Sequence, residues 1–164
     1  MKMIKMSLML ALCAVMFLPH SGCSEIRYAD GVACETVGEG IRETLGAERE
    51  LSSFSESELV RELDLDGGYD DFYSAYSTEV EDIDEVGVLH APTAKAAKEL
   101  AEECREYIDE KREEMRAFVA SYAPHEVPKL DSAEVRRFGN YVVYTVLDRD
   151  VAERVFETVK EKLK

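Results

Sequence analysis

Hydrophobic and polar residues alternate along this chain in distinct patterns, each predicting a different kind of element. The first pattern is a run without charge. Lys2 and Lys5 precede the apolar stretch from Met6 to Leu18, and no further charge appears until Glu25. A positive start followed by about 7–15 apolar residues describes a secretory signal, too short for the roughly 20 residues that cross a bilayer. The segment is therefore expected to be exported and removed.

Beyond it the spacing becomes helical. Val37, Ile41 and Leu45 recur every four positions and predict a helix from Cys34 to Ala47, closed by Gly46, despite Gly38 and Gly40 in its body. A second helix begins more sharply, with Ser55 as N-cap, Glu58 completing a capping box and Phe54 set against Leu59 as a staple. It is short. The Gly67-Gly68 pair breaks the chain before Phe72-Tyr-Ser-Ala-Tyr76, an aromatic-rich segment whose class the pattern leaves open.

Glu85-Val-Gly-Val-Leu-His90 reads as a strand, with candidate pairing residues before it from Ser77 to Asp82. Thr93 caps the longest helix, which runs to about Tyr122 and is stopped by Pro124. Ala97, Leu100, Cys104, Ile108, Met115, Phe118 and Tyr122 form its apolar stripe, so that face is expected to be buried beneath a charged, solvated ridge. Lys111 falls in the stripe and is expected to snorkel outward on its aliphatic stem.

A loop over 123–128 leads to a hairpin in which 133–138 meets 141–147 across Gly139-Asn140, two residues that tolerate the positive φ of a tight turn. The last helix is expected to start at Asp150 with Glu153 completing a box. It presents Val155, Phe156, Val159 and Leu163, while Lys160, Lys162 and Lys164 complement its dipole. These elements predict a two-layer α+β domain. A short, mostly antiparallel sheet of about three strands packs on the long helix, with additional N- and C-terminal helices.

Composition narrows the class. The 164 residues carry 20 Lys+Arg against 35 Asp+Glu, a formal charge of −15, which argues against a phosphate-tracking surface and against nucleic acid as a partner. With 46% hydrophobic and 34% charged residues the chain can bury enough surface to fold. Loss of Lys2 and Lys5 with the signal would make it more acidic still.

The segment Leu18-Pro-His-Ser-Gly-Cys23-Ser resembles a bacterial lipoprotein signal, with Ser21 and Gly22 as the small residues before the lipidated cysteine. The organisation that follows is a signal over 1–22, a tether over 23–33 and a single domain over 34–164. Cys23 is the expected lipid attachment site. A diacylglyceryl group brings two chains, and at roughly 0.8 kcal/mol per buried CH2 these hold a soluble domain on the extracytoplasmic face of the cell membrane. An acidic domain would stand off an anionic surface on its tether.

Cys13 leaves with the signal, so Cys34 and Cys104 remain as the candidate disulfide pair. The place of Cys104 on the helical stripe equally suits a buried thiol. Asp64, Asp66, Asp70 and Asp71, crowded on a glycine-containing loop, are candidate oxygen ligands for Ca2+, although the spacing departs from the EF-hand and such residues also cap helices. His90 and His125 are the only histidines left for a metal, fewer than the three protein ligands usual at catalytic zinc. No nucleophile elbow, Walker loop, dinucleotide fingerprint or H-E-x-x-H is present, and no cofactor is implied.

Asp84-Glu85-Val-Gly-Val before the long helix, Tyr122-Ala-Pro124 closing it and Phe138-Gly-Asn-Tyr-Val142 at the hairpin give the last hundred or so residues a family likeness. Together these motifs resemble the domain of unknown function 4358 family, small lipoproteins of Gram-positive anaerobes. The resemblance implies the α+β fold and the lipid anchor, and brings no catalytic residue with it. The expected function is a non-enzymatic binding module. It would offer the sheet face opposite the long helix, or the aromatic segment from Tyr69 to Tyr76, to a protein or small-molecule ligand. A small hydrolase or metal-dependent enzyme with an unfamiliar site is the alternative.

Overall fold

The computed structural model describes residues 27–47 and 49–164, so the apolar N-terminal run and Cys23 lie outside the described residues. Strand β3 (Glu85–His90) organises the fold. It bonds antiparallel to β2 (Asp71–Ser77) on one side and to β5 (Tyr141–Val146) on the other. β1 (Leu51–Ser53) and β4 (Glu134–Phe138) extend the sheet to five strands in the order β1-β2-β3-β5-β4. The α+β, antiparallel expectation holds, but the count of about three strands is corrected. β1 is three residues with no apolar pattern, and β2 is the aromatic-rich segment, where Ser74 and Ala75 blur the alternation. Ser77 ends β2 and its amide donates to Asp84 O (2.7 Å), so the chain through Asp82 is a turn and not a pairing strand.

Helices cover both faces of this sheet. Val86, Val88, Tyr141 and Val143 pack with α1 (Cys34–Leu45) and α5 (Arg149–Lys162), whereas Leu89, Val142, Tyr144 and Val146 pack with α2 (Glu56–Leu63) and α3 (Ala94–Tyr122). The expected two layers are therefore three, and the sheet face opposite the long helix is core. The physical reason is visible in β5, buried at every position, and β3, buried at all but its last: strands buried on both sides need a helix on each. α1 approaches closely because Gly38 has no side chain, since a Cβ there would lie 2.3 Å from the Tyr73 ring.

Several boundaries differ from expectation. The loop expected over 123–128 is instead a 3-10 turn (Pro124–Glu126) followed by the start of a short helix, α4 (Val127–Ser132). α5 starts one residue early with Asp148 as N-cap, which puts Val151 at the third helical position, so Glu153 completes no box and instead pairs with Arg136 on β4 (2.5 Å). The capping box of Ser55 and Glu58 on α2 is present as expected. α3 buries Val119, yet Phe118 is 57% and Tyr122 70% exposed, which reverses the expectation for the end of its stripe. β3 starts at the level of Tyr107 and Lys111, so roughly 16 Å of helix runs past the sheet.

The tether reading of 23–33 is also corrected for its described part. Ala29 N donates to Leu163 O (2.6 Å) and Gly31 N to the Tyr141 hydroxyl (3.1 Å), which in turn donates to Val32 O (2.7 Å). Tyr28 meets Phe138 edge-on at 5.5 Å. From Tyr28 onward the chain is fastened to the fold.

Candidate functional site

Asp84 and Glu85 bring two carboxylates, each 2% exposed, to the start of an otherwise apolar strand. Neighbouring residues of a strand point to opposite sides, so these two acids recruit separate sets of partners. Glu85 accepts from the Tyr107 hydroxyl at Oε1 (2.7 Å) and from the Lys111 ammonium at Oε2. Lys111 also donates to the Tyr107 oxygen (2.7 Å), and its side chain is only 17% exposed. It turns inward to a buried acid, so the snorkelling expectation is corrected. Burial and the neighbouring Glu85 charge push the Tyr107 phenol well up, keeping it a hydrogen-bond donor.

Asp84 is held by the Arg49 guanidinium and by the ammonium of Lys129, 2.6 Å from Oδ1. Lys129 also reaches Asp82 Oδ1 (2.7 Å) and Glu126 Oε2 (2.6 Å), and Glu126 Oε2 accepts from Ile83 N (3.1 Å). Burial raises the Asp82 carboxyl, but hydrogen bonding and charge from Lys129 outweigh it and leave the pKa below its usual value. Oxygens of Asp82, Asp84 and Glu126 lie within 4.8 Å of one another, a spacing that suits a metal. The chain supplies its own cation there, because the Lys129 ammonium contacts all three.

A cleft of about 320 Å3 opens beside this network, between α2, the end of β2 and α3. Asp84, Glu85 and Lys111 line its base. Phe54 stacked on Tyr76 at 4.5 Å, with Ile83 and Met115, gives it apolar walls. Glu58, Arg61 and Glu62 form the rim, where Arg61 pairs with Glu62 at 2.9 Å. The volume is at the lower end of the roughly 300–1,000 Å3 of small-molecule sites.

The opposite end of β3 carries a second cluster. His90 Nδ1 bonds Asp70 Oδ1 (2.5 Å), its Nε2 bonds Asp30 Oδ1 (2.8 Å), and Asn140 donates to both oxygens of Asp30 (3.2 Å). This fastens the N-terminal segment. His125 sits by Glu126 at the other end of the strand, so the two histidines do not converge.

The four acids of the 64–71 segment are not gathered around one point either. Asp70 serves His90. Asp71 caps Cys34 N (2.7 Å) and Phe72 N (2.9 Å). Asp64 lines a small pocket with Glu103, Glu106 and Glu110, and the Asp66 charge adds to burial in raising the Glu103 carboxyl. Cys34 and Cys104 are free and buried in different clusters, on α1 and α3. The sheet lies between them, so the disulfide expectation is corrected: each layer spacing is about 10 Å and a bridge spans less than about 7 Å between Cα atoms. Burial, aided by Glu103, pushes the Cys104 thiol up to about 12. Sequence reasoning missed Arg49, Glu126 and Lys129, although an acid pair heading an apolar strand signals that buried cations must be near.

The family described as Domain of unknown function (DUF4358) matches residues 44–147. The chain belongs to this family. No curated protein and no solved structure matches it. The DUF4358 region contains the whole ion network, from Arg49 to Lys129, together with the cleft and all five strands. Asp30 of the His90 cluster and the C-terminal helix α5 fall outside it.

Proposed function

We propose that this DUF4358 protein is an extracytoplasmic lipoprotein, held to the membrane through Cys23, and that it works as a non-enzymatic binding module with its cleft as the ligand site. One observation carries the reading. The N-terminal segment is fastened at the His90 end of β3, and the cleft opens at the Glu85 end. A domain tethered by its N-terminus thus presents the cleft away from the membrane. Both cations at the cleft are already committed, Lys111 to Glu85 and Arg61 to Glu62, which favours recognition over proton transfer.

Two measurements test this. Cys23→Ser is expected to release the protein from membranes and abolish labelling by fatty acid; a variant still membrane-bound, with no label on the native chain, would refute the anchor. A photoreactive side chain at Met115 is expected to crosslink on intact cells where one at Glu157, on the far side of the sheet, does not. Equal yields at both positions would refute the cleft as the binding site.

A further inference from the structure

The apolar stripe of α3 does not stop where the sheet stops. Lys111 and Met115 line the cleft, and Phe118 and Tyr122 continue the same row at the three- and four-residue spacing of one helix face. Phe118 and Tyr122 stack on each other at 4.6 Å while 57% and 70% exposed. Stacking fixes the two rings as a single projecting ridge, and a large apolar surface continuous with a cleft is the mark of an interaction site.

Charge around the row selects the occupant. Glu110 and Glu114 are exposed beside the row on α3, and Glu58 and Glu62 stand on the cleft rim. The nearby cations have partners: Arg112 pairs with Asp109 (2.5 Å), Arg116 with Asp131, and Lys111 with Glu85. The surplus is negative. A second copy would set like charge against like charge, in a chain whose formal charge is −15. A mature N-terminus starting at Cys23 would have five residues before Tyr28, reaching at most about 18 Å from the far end of the sheet, whereas α3 is about 43 Å long.

We propose that the row from Lys111 to Tyr122, with the cleft at its base, binds a basic polypeptide segment of a partner protein that carries large apolar side chains. Apolar groups of the segment seat on Met115, Phe118 and Tyr122 and in the Phe54–Tyr76 wall, while its Lys or Arg residues face the flanking acids. This rests on the reading of the domain as a binding module and names its partner class.

The chain contains no Trp, so a Trp in a probe reports binding directly. The test titrates the purified full chain with a synthetic amphipathic helix of Lys and Leu faces bearing one Trp, following its emission. Saturable binding is expected, weakened by added salt and weakened about tenfold or more by Phe118→Ser with Tyr122→Ser. Both positions are exposed, and a circular dichroism spectrum confirms that the variant folds. Absence of binding overturns the proposal, as does unchanged affinity in the folded variant. Equal affinity for a scrambled peptide of the same composition, or preference for neutral lipid vesicles, also overturns it. If the peptide fails while crosslinking at Met115 succeeds, the module stands and its partner has a different chemistry; if both fail, the module reading falls as well.

Discussion

The ring of Tyr144 occupies the space where a side chain on Gly87 would begin: a Cβ at position 87 would lie 2.1 Å from Tyr144 Cε1. The two residues are cross-strand partners between β5 and β3, and the ring reaches over β3 so that its hydroxyl meets Ser74 Oγ on β2 at 2.6 Å. The Tyr107 ring on α3 meets it edge-on at 5.8 Å. The glycine thus lets one tyrosine link three strands and carries the packing on to the helix that holds Glu85.

Gly87→Ala is therefore expected to destabilise the fold by about 2–4 kcal/mol, combining overpacking with loss of the Ser74 hydrogen bond. Urea denaturation measures it. Combined with Tyr144→Leu the cost should fall below the sum of the two single costs, because the clash disappears with the ring. Simple additivity would show that the ring is not what the glycine accommodates.

Lys129 is 7% exposed and its ammonium contacts the carboxylates of Asp82, Asp84 and Glu126 together. Lys129→Met leaves buried carboxylates facing one another, and a loss of about 3–5 kcal/mol is expected. The sign of its pH dependence follows. Without the Lys129 hydrogen bond and charge, burial pushes the Asp82 carboxyl up in the folded variant, so the variant recovers stability as pH falls and that group protonates. Denaturation at about pH 5 and about pH 8 checks this; a deficit as large at the lower pH would contradict the role given to Lys129.

How much of this was legible in the sequence differs from residue to residue. The capping box at Ser55 and Glu58, the Gly139 turn and the α3 start at Thr93 are local, and local chemistry was enough to read them. β1 was invisible because Leu51-Ser-Ser is a strand only through its bonds to Ser77, Tyr76 and Ala75 of β2. Periodicity likewise places Phe118 and Tyr122 on the buried stripe, and only the length of the sheet leaves them bare. The site was barely legible. Asp84 and Glu85 entered only as part of a strand and a family motif, and Arg49 and Lys129 lie 35 and 45 positions from Asp84, a separation that pattern reading does not bridge.

Cys34 and Cys104 are both 0% exposed, and burial raises both thiols, Cys104 to about 12. Few thiolates form at neutral pH, and the reagent cannot reach them. Alkylation of both is expected only when the protein is unfolded, with no bridge between them after mild oxidation. Peptide mapping with and without denaturant reads this directly, and a linked Cys34–Cys104 peptide from folded protein would contradict the placement of the sheet between them.

The clasp at the other end of the sheet is expected to respond to pH. Partial burial disfavours a charged His90, but the hydrogen bonds it donates to Asp30 and Asp70, with the charges of the same two acids, outweigh it and raise the pKa above 6.5. Asp30 moves the other way, lowered below 3.8 chiefly by its bond to His90. A raised imidazole contributes full stability below its unfolded value and loses it as pH rises through the folded one; a lowered carboxyl contributes above its unfolded value and loses it on acidification. Between about pH 4 and about pH 6.5 both are in place, so the clasp is tightest there and weakens on the alkaline side. Trypsin cleavage after Arg27 or hydrogen exchange at the Gly31 amide, corrected for intrinsic rates, should report looser attachment of residues 28–33 near pH 8 than near pH 6. His90→Gln keeps a polar ring-sized group but no titrating nitrogen, and should flatten that difference. If the native segment is held equally well at both pH values, His90 does not govern the point where the chain leaves the domain toward Cys23.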